Sequence, residues 1–369
     1  MKKDEGVKTV VHFIPGDGPN GLIQAISMTP DLTVKILTLY TMDESVPKFC
    51  SENGIEIKSL GFMEKNLLKQ IFELLKYLYR EKPKLIFAHS FYPSLICAAG
   101  SLFYWKAIFV PVRHHNQVHI LSKNRKAMLL DRWISRLTSH TVGVSDAVKE
   151  TLVKQGCKVA KISVIYNGLP KPATCYSTKL LKHNGEPYKL VALGRIDWQK
   201  DYEIMLKIVY ELRRSGMDLV LTILGGGNQE YLEALKKIQG DLGLLDYVSW
   251  LGRQPDIYKY LNEADLFIHT ALDEACPLVL IETLMFGIPL VSSNLGGSRD
   301  VLEGFYDGSN PHNIEEFCHK ISDALVNLEQ SKAYALNIAD SAAEKFSPIR
   351  MQLEYTELSL KLFSKFKVC

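Results

Sequence analysis

The sequence lacks the cysteine patterns that hold small extracellular domains or zinc domains together. Its seven cysteines are scattered, odd in number and never spaced as a C-x-x-C pair. Such usage favours reduced thiols over a disulfide framework or a zinc site. The first residues also lack the apolar core of a secretory signal. We therefore predict a cytoplasmic protein without a structural metal.

Long hydrophobic runs are scarce as well. Residues 91–112 form a stretch that resembles a membrane span, with Lys106 as its single charge. Two prolines and a glycine interrupt it, and a buried helix followed by a buried parallel strand gives the same apolar density. We predict that this segment belongs to a core.

Length and charge narrow the remaining possibilities. The chain has 369 residues, 47% hydrophobic and 23% charged, which suits two domains with substantial cores. Residues 1–167 carry 23 basic against 14 acidic side chains, a net charge of +9, whereas residues 168–369 carry a net charge of −6. A basic half indicates an anionic partner, a membrane surface or a solvated face, and the solvated face is the default. No nucleic-acid partner is predicted.

Strand-like runs alternate with amphipathic helices along the whole chain. Examples are TVVHFI, KLIFAHS and AIFVPVR in the first half and KLVALGR, DLVLTILGG and LFIHT in the second. This alternation predicts an α/β fold of parallel sheets flanked by helices. We predict Rossmann-like domains at 1–168 and 188–345 that face each other across a cleft, joined by a Pro- and Lys-rich linker at 169–187. Residues 346–369 read as a terminal helix that packs back on the first domain.

A glycine-rich motif follows the first strand-like run. Gly16 to Gly21 match G-x-G-x-x-G, and Asp43 and Glu44 follow the next run, as in dinucleotide-binding domains. A proline and an asparagine stand where the motif should open a helix, which weakens the match. An oxidoreductase is therefore an alternative, ranked last.

A pair of glutamates marks the second half. Glu274 and Glu282 are separated by seven residues, Leu278–Phe286 suits a buried helix, and Gly287 gives that helix an end. The start of such a helix presents unpaired N–H groups and a positive dipole end to a diphosphate. Carboxylates on either side can accept hydrogen bonds from sugar hydroxyls. The pattern suits a nucleotide-sugar.

This stretch resembles the E-x7-E signature of the retaining, family-4 type glycosyltransferases with the two-domain GT-B fold. The family also has a GR…K element at the first strand of its second domain, matched here by Gly194-Arg195 and Lys200. Further similarity lies in TILGGGNQEYLEAL, VSWLGRQPDIYKYLNEADLFI and VGVSDAVKETLVKQG. The likeness covers essentially the whole chain and is strongest from Val142 to Leu302.

The resemblance implies roles for several residues of the second domain. Arg195 and Lys200 would hold the donor diphosphate, Glu282 the ribose and Glu274 the transferred sugar. A guanidinium and an ammonium both stabilise the negative charge that grows on a leaving diphosphate. Further donor contacts are implied for Leu278, Val279 and, at the base pocket, Arg253. The family often has Pro-Ser where this chain has His269-Thr270, which leaves the donor sugar open.

In the first domain the resemblance implies that Gly16, Asp17 and Gly18 approach donor phosphate and acceptor, since glycines let the backbone come close to a ligand. His114 aligns with a histidine near the transferred sugar, and a shift of one residue would select His115.

His89 also ends a strand toward the cleft, where it either contacts the acceptor or belongs to the core. His119 adds a metal-like spacing to these histidines. No companion Glu or Cys supports zinc in the sequence, and an ordinary loop histidine is the preferred interpretation.

The resemblance implies a retaining hexosyl or glycosyl transferase in surface polysaccharide or glycolipid synthesis. It would move a sugar from a UDP-, GDP- or ADP-sugar to an acceptor hydroxyl, by front-face substitution and without a metal or other cofactor. The alternatives are a related epimerase or phosphorylase, and a catalytically silent sugar-binding subunit.

A basic, apolar-rich segment near residue 70 raises a further hypothesis. Lys65, Lys69, Lys76 and Arg80 are interleaved with Leu, Ile, Phe and Tyr. Such a surface could rest on anionic lipid at the inner face of a membrane and bring the enzyme to a lipid-linked acceptor. A core-packed helix with a solvated basic face is the equally weighted alternative.

Overall fold

The structure is a computed structural model that describes residues 9–16, 32–41, 45–52, 54–63, 66–174 and 185–366. The chain divides into two compact units. The first unit comprises residues 1–170 and 346–369, and the second comprises residues 171–345. Of the predicted linker, residues 175–184 lie outside the described part, as do Asp43 and Glu44.

The first unit is built on a seven-stranded sheet in the order β3-β2-β1-β4-β5-β6-β7, with every neighbouring pair parallel. The strands are β1 (Thr9–Ile14), β2 (Thr33–Tyr40), β3 (Glu56–Phe62), β4 (Leu85–His89), β5 (Ile108–Arg113), β6 (Thr141–Gly143) and β7 (Ile162–Val164). The strand order reverses direction between β1 and β4. In open α/β sheets, ligands bind beyond the carboxyl ends of the strands at such a point.

Helices connect these strands. They are α1 (Ser45–Glu52), α2 (Leu67–Glu81), α3 (Phe91–Gly100), α4 (Val118–Leu121), α5 (Arg125–Leu137) and α6 (Asp146–Lys154). Helix α3 and strand β5 form most of the apolar stretch at 91–112 and are largely buried, as predicted. The loop between them is not part of the core, because Leu102, Phe103 and Trp105 are exposed there. No helix of the described residues is both long and apolar enough to cross a membrane.

A C-terminal helix, labelled α14 (Pro348–Lys365), completes the first unit. Its start is favoured by Pro348 in the first turn and by Ser347, whose hydroxyl accepts the amide of Arg350 at 3.2 Å. The buried Tyr355 ring packs edge-on against Phe87 of β4, with centroids 5.0 Å apart. The last helix of the chain therefore covers the middle of the first sheet.

The second unit has a five-stranded parallel sheet in the order β10-β9-β8-β11-β12. Its strands are β8 (Tyr188–Leu193), β9 (Leu219–Leu224), β10 (Val248–Gly252), β11 (Leu266–His269) and β12 (Leu290–Ser292). Its helices are α7 (Tyr202–Arg214), α8 (Gln229–Asp241), α9 (Tyr258–Glu263), α10 (Leu278–Phe286), α11 (Gly297–Leu302), α12 (Ile314–Val326) and α13 (Leu328–Lys345). Two parallel Rossmann-like sheets confirm the predicted α/β class.

Candidate active site

A cavity of about 230 Å³ lies beyond the carboxyl ends of β8 and β11 in the second unit. Most of its lining side chains are charged. They are Arg195, Asp197, Gln199, Lys200, Asp273 and Glu274. Three of the residues expected to bind the donor therefore line one cavity.

Lys200 is the last residue of a short 3-10 helix, Trp198–Lys200. Asp197 opens that helix, because its carboxylate accepts the amide of Gln199 at 3.2 Å. The Thr270 hydroxyl, just after β11, donates to the backbone carbonyl of Lys200 at 2.9 Å. The lysine backbone is thus fixed from two directions.

Lys200 and Glu274 form an ion pair through Nζ and Oε1. Each side chain is only 17% exposed. Burial alone would raise the pKa of Glu274, but the nearby Lys200 and His269 outweigh it and hold that pKa at about 2. The carboxylate is therefore ionised at neutral pH, and the pair keeps both charges inside the cavity wall.

His269, which stands in the sequence as a departure from the family's Pro-Ser pair, lies beside this ion pair. Its Nε2 lies 3.5 Å from Glu274 Oε1, and its Nδ1 lies 3.1 Å from Ser292 Oγ. Burial lowers the pKa of His269, so the ring is neutral at pH 7. A second signal in the sequence is that His269 is a polar residue at the end of an otherwise apolar strand, LFIH.

Two glycines let the loops of this site lie against each other. A Cβ on Gly297 would stand 2.0 Å from the carbonyl oxygen of Ala275, and the Gly297 amide donates to the Glu274 carbonyl at 2.7 Å. Gly225 has φ +139°, and a Cβ there would stand 1.9 Å from the carbonyl oxygen of Gly194. Any larger residue at either position would displace the loop that carries Glu274 or Arg195.

Helix α10 begins three residues after Ala275, with the bounds that the sequence predicts. Pro277 precedes it and supplies no side-chain cap, so the backbone amides of Leu278 and Val279 open the helix without one. Glu282 follows on the second turn, about 6 Å farther along the axis. Burial raises the pKa of Glu282 to about 7, whereas the pKa of Glu274 is held at about 2 by its neighbours.

Two expected donor contacts are solvent-exposed. The Arg195 side chain is 68% exposed, and its Nε lies 3.4 Å from Asp197 Oδ2. Arg253 follows β10 and is also exposed. It does not line the cavity that Arg195 and Lys200 share.

Three histidines form a hydrogen-bonded row in the first unit. His12 Nδ1 lies 2.9 Å from His89 Nε2, and His89 Nδ1 lies 3.0 Å from His114 Nε2. His12 and His89 are each 2% exposed, while His114 is half-buried. A direct acceptor contact by His89 is disfavoured, since both of its ring nitrogens are bonded to other histidines.

His115 belongs to a different network. Its Nε2 lies 3.2 Å from Asp131 Oδ2, and His119 Nε2 lies 3.9 Å from the same oxygen. These three residues form the one group among the described residues that could offer three metal ligands. The Arg113 guanidinium donates to the same Asp131 oxygen at 3.3 Å. A resident cation there would compete with this buried positive charge, so the cluster is better described as an ion-pair network.

Of the glycine-rich loop, only Gly16 is described, and Asp17 and Gly18 lie outside the described residues. A Cβ on Gly16 would stand 3.4 Å from Tyr40 Cβ, in van der Waals contact with the end of β2. A larger cavity of about 810 Å³ lies between α7 and α12 in the second unit, and none of the expected site residues lines it.

Family models match both units. The model described as "Glycosyltransferase Family 4" matches residues 41–170, and that described as "Glycosyl transferases group 1" matches residues 178–339. Together they cover most of the chain, in the order in which the two units follow in the sequence.

Curated relatives are distant in sequence. The amylovoran biosynthesis glycosyltransferase AmsK of Erwinia amylovora is 27% identical over 61% of this chain, and the match spans 54% of AmsK. An alpha-1,3-galactosyltransferase of Escherichia coli, which acts on GlcNAc-diphosphoundecaprenol, is 26% identical over 73% of this chain and 72% of its own length.

Solved structures share the fold. Anabaena HepE in complex with UDP-glucose has a TM-score of 0.80 at 18% identity, with 95% of this chain and 99% of that one covered. The lipopolysaccharide outer core galactosyltransferase WaaB has a TM-score of 0.70 at 17% identity, over 96% and 99%. By its two family models and its fold, the chain belongs to the family-4 type glycosyltransferases with GT-B architecture.

Proposed function

We propose that the protein is a retaining glycosyltransferase that moves a hexosyl group from a nucleoside diphosphate sugar to an acceptor hydroxyl. The observation that carries the proposal is the pairing of Lys200 with Glu274 immediately before an uncapped helix start. In this arrangement the Lys200 cation and the backbone amides bind the diphosphate end of one ligand. The Glu274 carboxylate binds the hydroxyls at its other end.

The electrostatics of this site suit a diphosphate leaving group. When the bond to the sugar breaks, negative charge grows on the diphosphate, and Lys200, Arg195 and the start of α10 stabilise it without a metal ion. In a front-face substitution the leaving phosphate accepts the proton of the acceptor hydroxyl, so no separate carboxylate base is required. Glu274 is then available to bind the transferred sugar.

We propose a UDP-sugar as the donor. The similar HepE structure holds UDP-glucose, and the similar galactosyltransferase of E. coli uses UDP-Gal. Glu282, on the second turn of α10, would accept hydrogen bonds from the two ribose hydroxyls when it is ionised.

A lipid-linked acceptor is the second part of the proposal. Helix α2 exposes Leu68 (82%) and Phe72 (58%) beside basic residues, and the loop after α3 exposes Trp105 (79%). The Tyr79 hydroxyl of α2 donates to the carbonyl of Phe103 at 3.0 Å and joins that loop to the helix. An apolar surface with Lys and Arg between its side chains suits the cytoplasmic face of an anionic membrane.

Donor turnover tests the reaction. The purified chain is incubated with UDP-, GDP- and ADP-hexoses, with and without a diphosphoundecaprenol-linked sugar, and product is followed by the anomeric proton resonance. We expect acceptor-dependent release of nucleoside diphosphate, retained anomeric configuration and full activity in EDTA. Release of free epimer, or binding without turnover of any donor, would instead support the epimerase or the silent subunit.

Flotation with vesicles tests the surface. We expect salt-sensitive binding to anionic vesicles and weaker binding by the variant Leu68→Glu/Trp105→Glu, with Leu353→Glu as the control because Leu353 is 60% exposed on α14. Equal flotation of all three proteins, or of none, would contradict a membrane role for this surface.

A further inference from the structure

The histidine row of the first unit consists of His12, His89 and His114, joined by two hydrogen bonds that depend on each other. His12 lies on β1, His89 ends β4 and His114 follows β5, so the row crosses three neighbouring strands near their carboxyl ends. In the sheet register His12 is opposite Phe87, and His89 is opposite Val112. The row therefore connects the middle of the sheet with the partly exposed His114.

Burial keeps the rings uncharged. It lowers the pKa of His12 to about 3 and that of His114 to about 4, and the pKa of His89 also lies well below its ordinary value. The Phe87 ring stacks on His12 with centroids 5.1 Å apart, and Tyr355 of α14 packs edge-on against it at 5.2 Å. These rings shield the inner end of the row from water.

Neutral rings make the two hydrogen bonds interdependent. A neutral imidazole has one N–H donor and one acceptor nitrogen. Because both nitrogens of His89 are used, it must donate to one neighbour and accept from the other. Both bonds therefore point the same way along the row. If His12 Nδ1 donates, His114 Nδ1 carries a proton, and if His12 Nδ1 accepts, His114 Nδ1 is an acceptor.

We propose that His12 and His89 are positioning residues that couple the tautomer of His114 to that of His12, so that the state of His12 sets whether His114 Nδ1 donates to a substrate hydroxyl or accepts from it. The inference rests on the proposed function only for the identity of that hydroxyl, which belongs to the sugar or its acceptor. The tautomer itself is a property of the protein without substrate.

The test reads the tautomer directly. Full-length protein with 15N-labelled histidine is examined by long-range 1H–15N correlation between pH 6 and 8. We expect a single neutral tautomer for His114 in the wild type. His12→Asn restores a hydrogen bond to His89, but its amide can present either an acceptor oxygen or a donor N–H in place of Nδ1, so we expect it to fix the tautomer less strictly than histidine does. We expect mixed tautomers in His12→Phe, which keeps a ring against Phe87 and Tyr355 but cannot hydrogen bond to His89.

A matched control separates this effect from general loosening of the fold. His140 is also a buried histidine of the first unit, bonded to Ser163 Oγ at 2.9 Å and outside the row. We expect His140→Phe to leave the tautomer of His114 unchanged. Mixed tautomers in the wild type, or an unchanged His114 signal in a folded His12→Phe variant, would overturn the proposal.

Kinetics connect the row to the reaction. We expect kcat/KM of His12→Phe to fall about tenfold, the scale of one misdirected hydrogen bond, with partial rescue by His12→Asn. If His12→Phe changes the tautomer of His114 but leaves kcat/KM unchanged, His114 does not contact a substrate, and that part of the proposal is overturned. A protein that turns over no donor contradicts the proposed function and leaves the tautomer result intact.

Discussion

Two buried polar clusters, one in each unit, keep their side chains in opposite charge states. In the second unit, Lys200 and Glu274 keep opposite charges by contact, with each side chain 17% exposed. In the first unit, His12 and His89 are each 2% exposed, have no charged partner within their row and are neutral at pH 7. A buried group keeps its charge where a partner offsets desolvation and loses it where burial acts alone.

This difference assigns different ligand chemistry to the two units. Lys200 can exchange its partner Glu274 for an anionic ligand, so the site in the second unit suits a diphosphate. Neutral rings can only donate or accept, so the first unit suits hydroxyls. Glu282 is the exception within the second unit, because burial raises its pKa to about 7.

The largest expected effect comes from removal of the cation. Lys200→Met leaves Glu274 with His269 as its remaining close partner and removes charge stabilisation from the leaving diphosphate. We expect kcat to fall by about 10² to 10³. Without Lys200, which lowers the pKa of Glu274, that pKa should rise. Steady-state kinetics at saturating donor measure the loss.

Lys236→Met is the matched control for this substitution. Lys236 also pairs with a glutamate, Glu233, on the same unit, but it is 45% exposed and does not line the cavity. We expect its kcat to stay within a factor of two of the wild type, because exposed pairs contribute little. A Lys200→Met variant that retains more than a tenth of wild-type kcat would contradict the role given to the cation.

A second prediction concerns the substitution Glu282→Gln, which should stabilise the fold at pH 8 but weaken donor binding. Since burial raises its pKa from the ordinary value, the folded state holds a proton that the unfolded state loses, and stability falls as pH rises toward 7. Glu282→Gln should therefore raise the free energy of unfolding at pH 8 by about 1 kcal/mol. Thermal unfolding at pH 5 and pH 8 measures this gain, which should vanish at the lower pH.

The same substitution should weaken donor binding. An ionised carboxylate accepts from both ribose hydroxyls, whereas an amide offers one acceptor, so we expect UDP affinity at pH 8 to fall about tenfold or more. Both affinities should decline at low pH as the terminal phosphate of UDP takes up a proton at a pKa of about 6, but the wild-type affinity should decline more steeply below pH 7 than the variant's, because Glu282 also takes up a proton. Calorimetric titration between pH 5.5 and 8.5 decides this, and parallel pH dependence of the two proteins would refute the assignment of Glu282 to the ribose.

Local signals made part of the site predictable from the sequence. A mostly apolar run followed by glycine predicted α10 with its observed bounds, and Gly287 ends it in a left-handed conformation with φ +83°. His12 and His89 are 77 residues apart, and their contact depends on β1 and β4 being neighbours in the sheet. No spacing in the sequence records such an order of strands.

The smallest expected effect tests whether the second unit also uses a neutral histidine. His269→Leu removes the ring beside Glu274 but leaves the Lys200 ion pair, so the carboxylate stays ionised at pH 7 and loses only orientation. Because Glu274 is assigned to the transferred sugar, we expect kcat/KM for the nucleotide-sugar to fall about threefold to tenfold. Inhibition by UDP, which has no sugar to contact, should be unchanged.

His269→Gln can place an amide near the position of Nε2 and should recover most of the loss. A fall in UDP inhibition equal to the fall in kcat/KM would mean that the ring supports the cavity as a whole. Neutral histidines would then orient ligand contacts in the first unit alone.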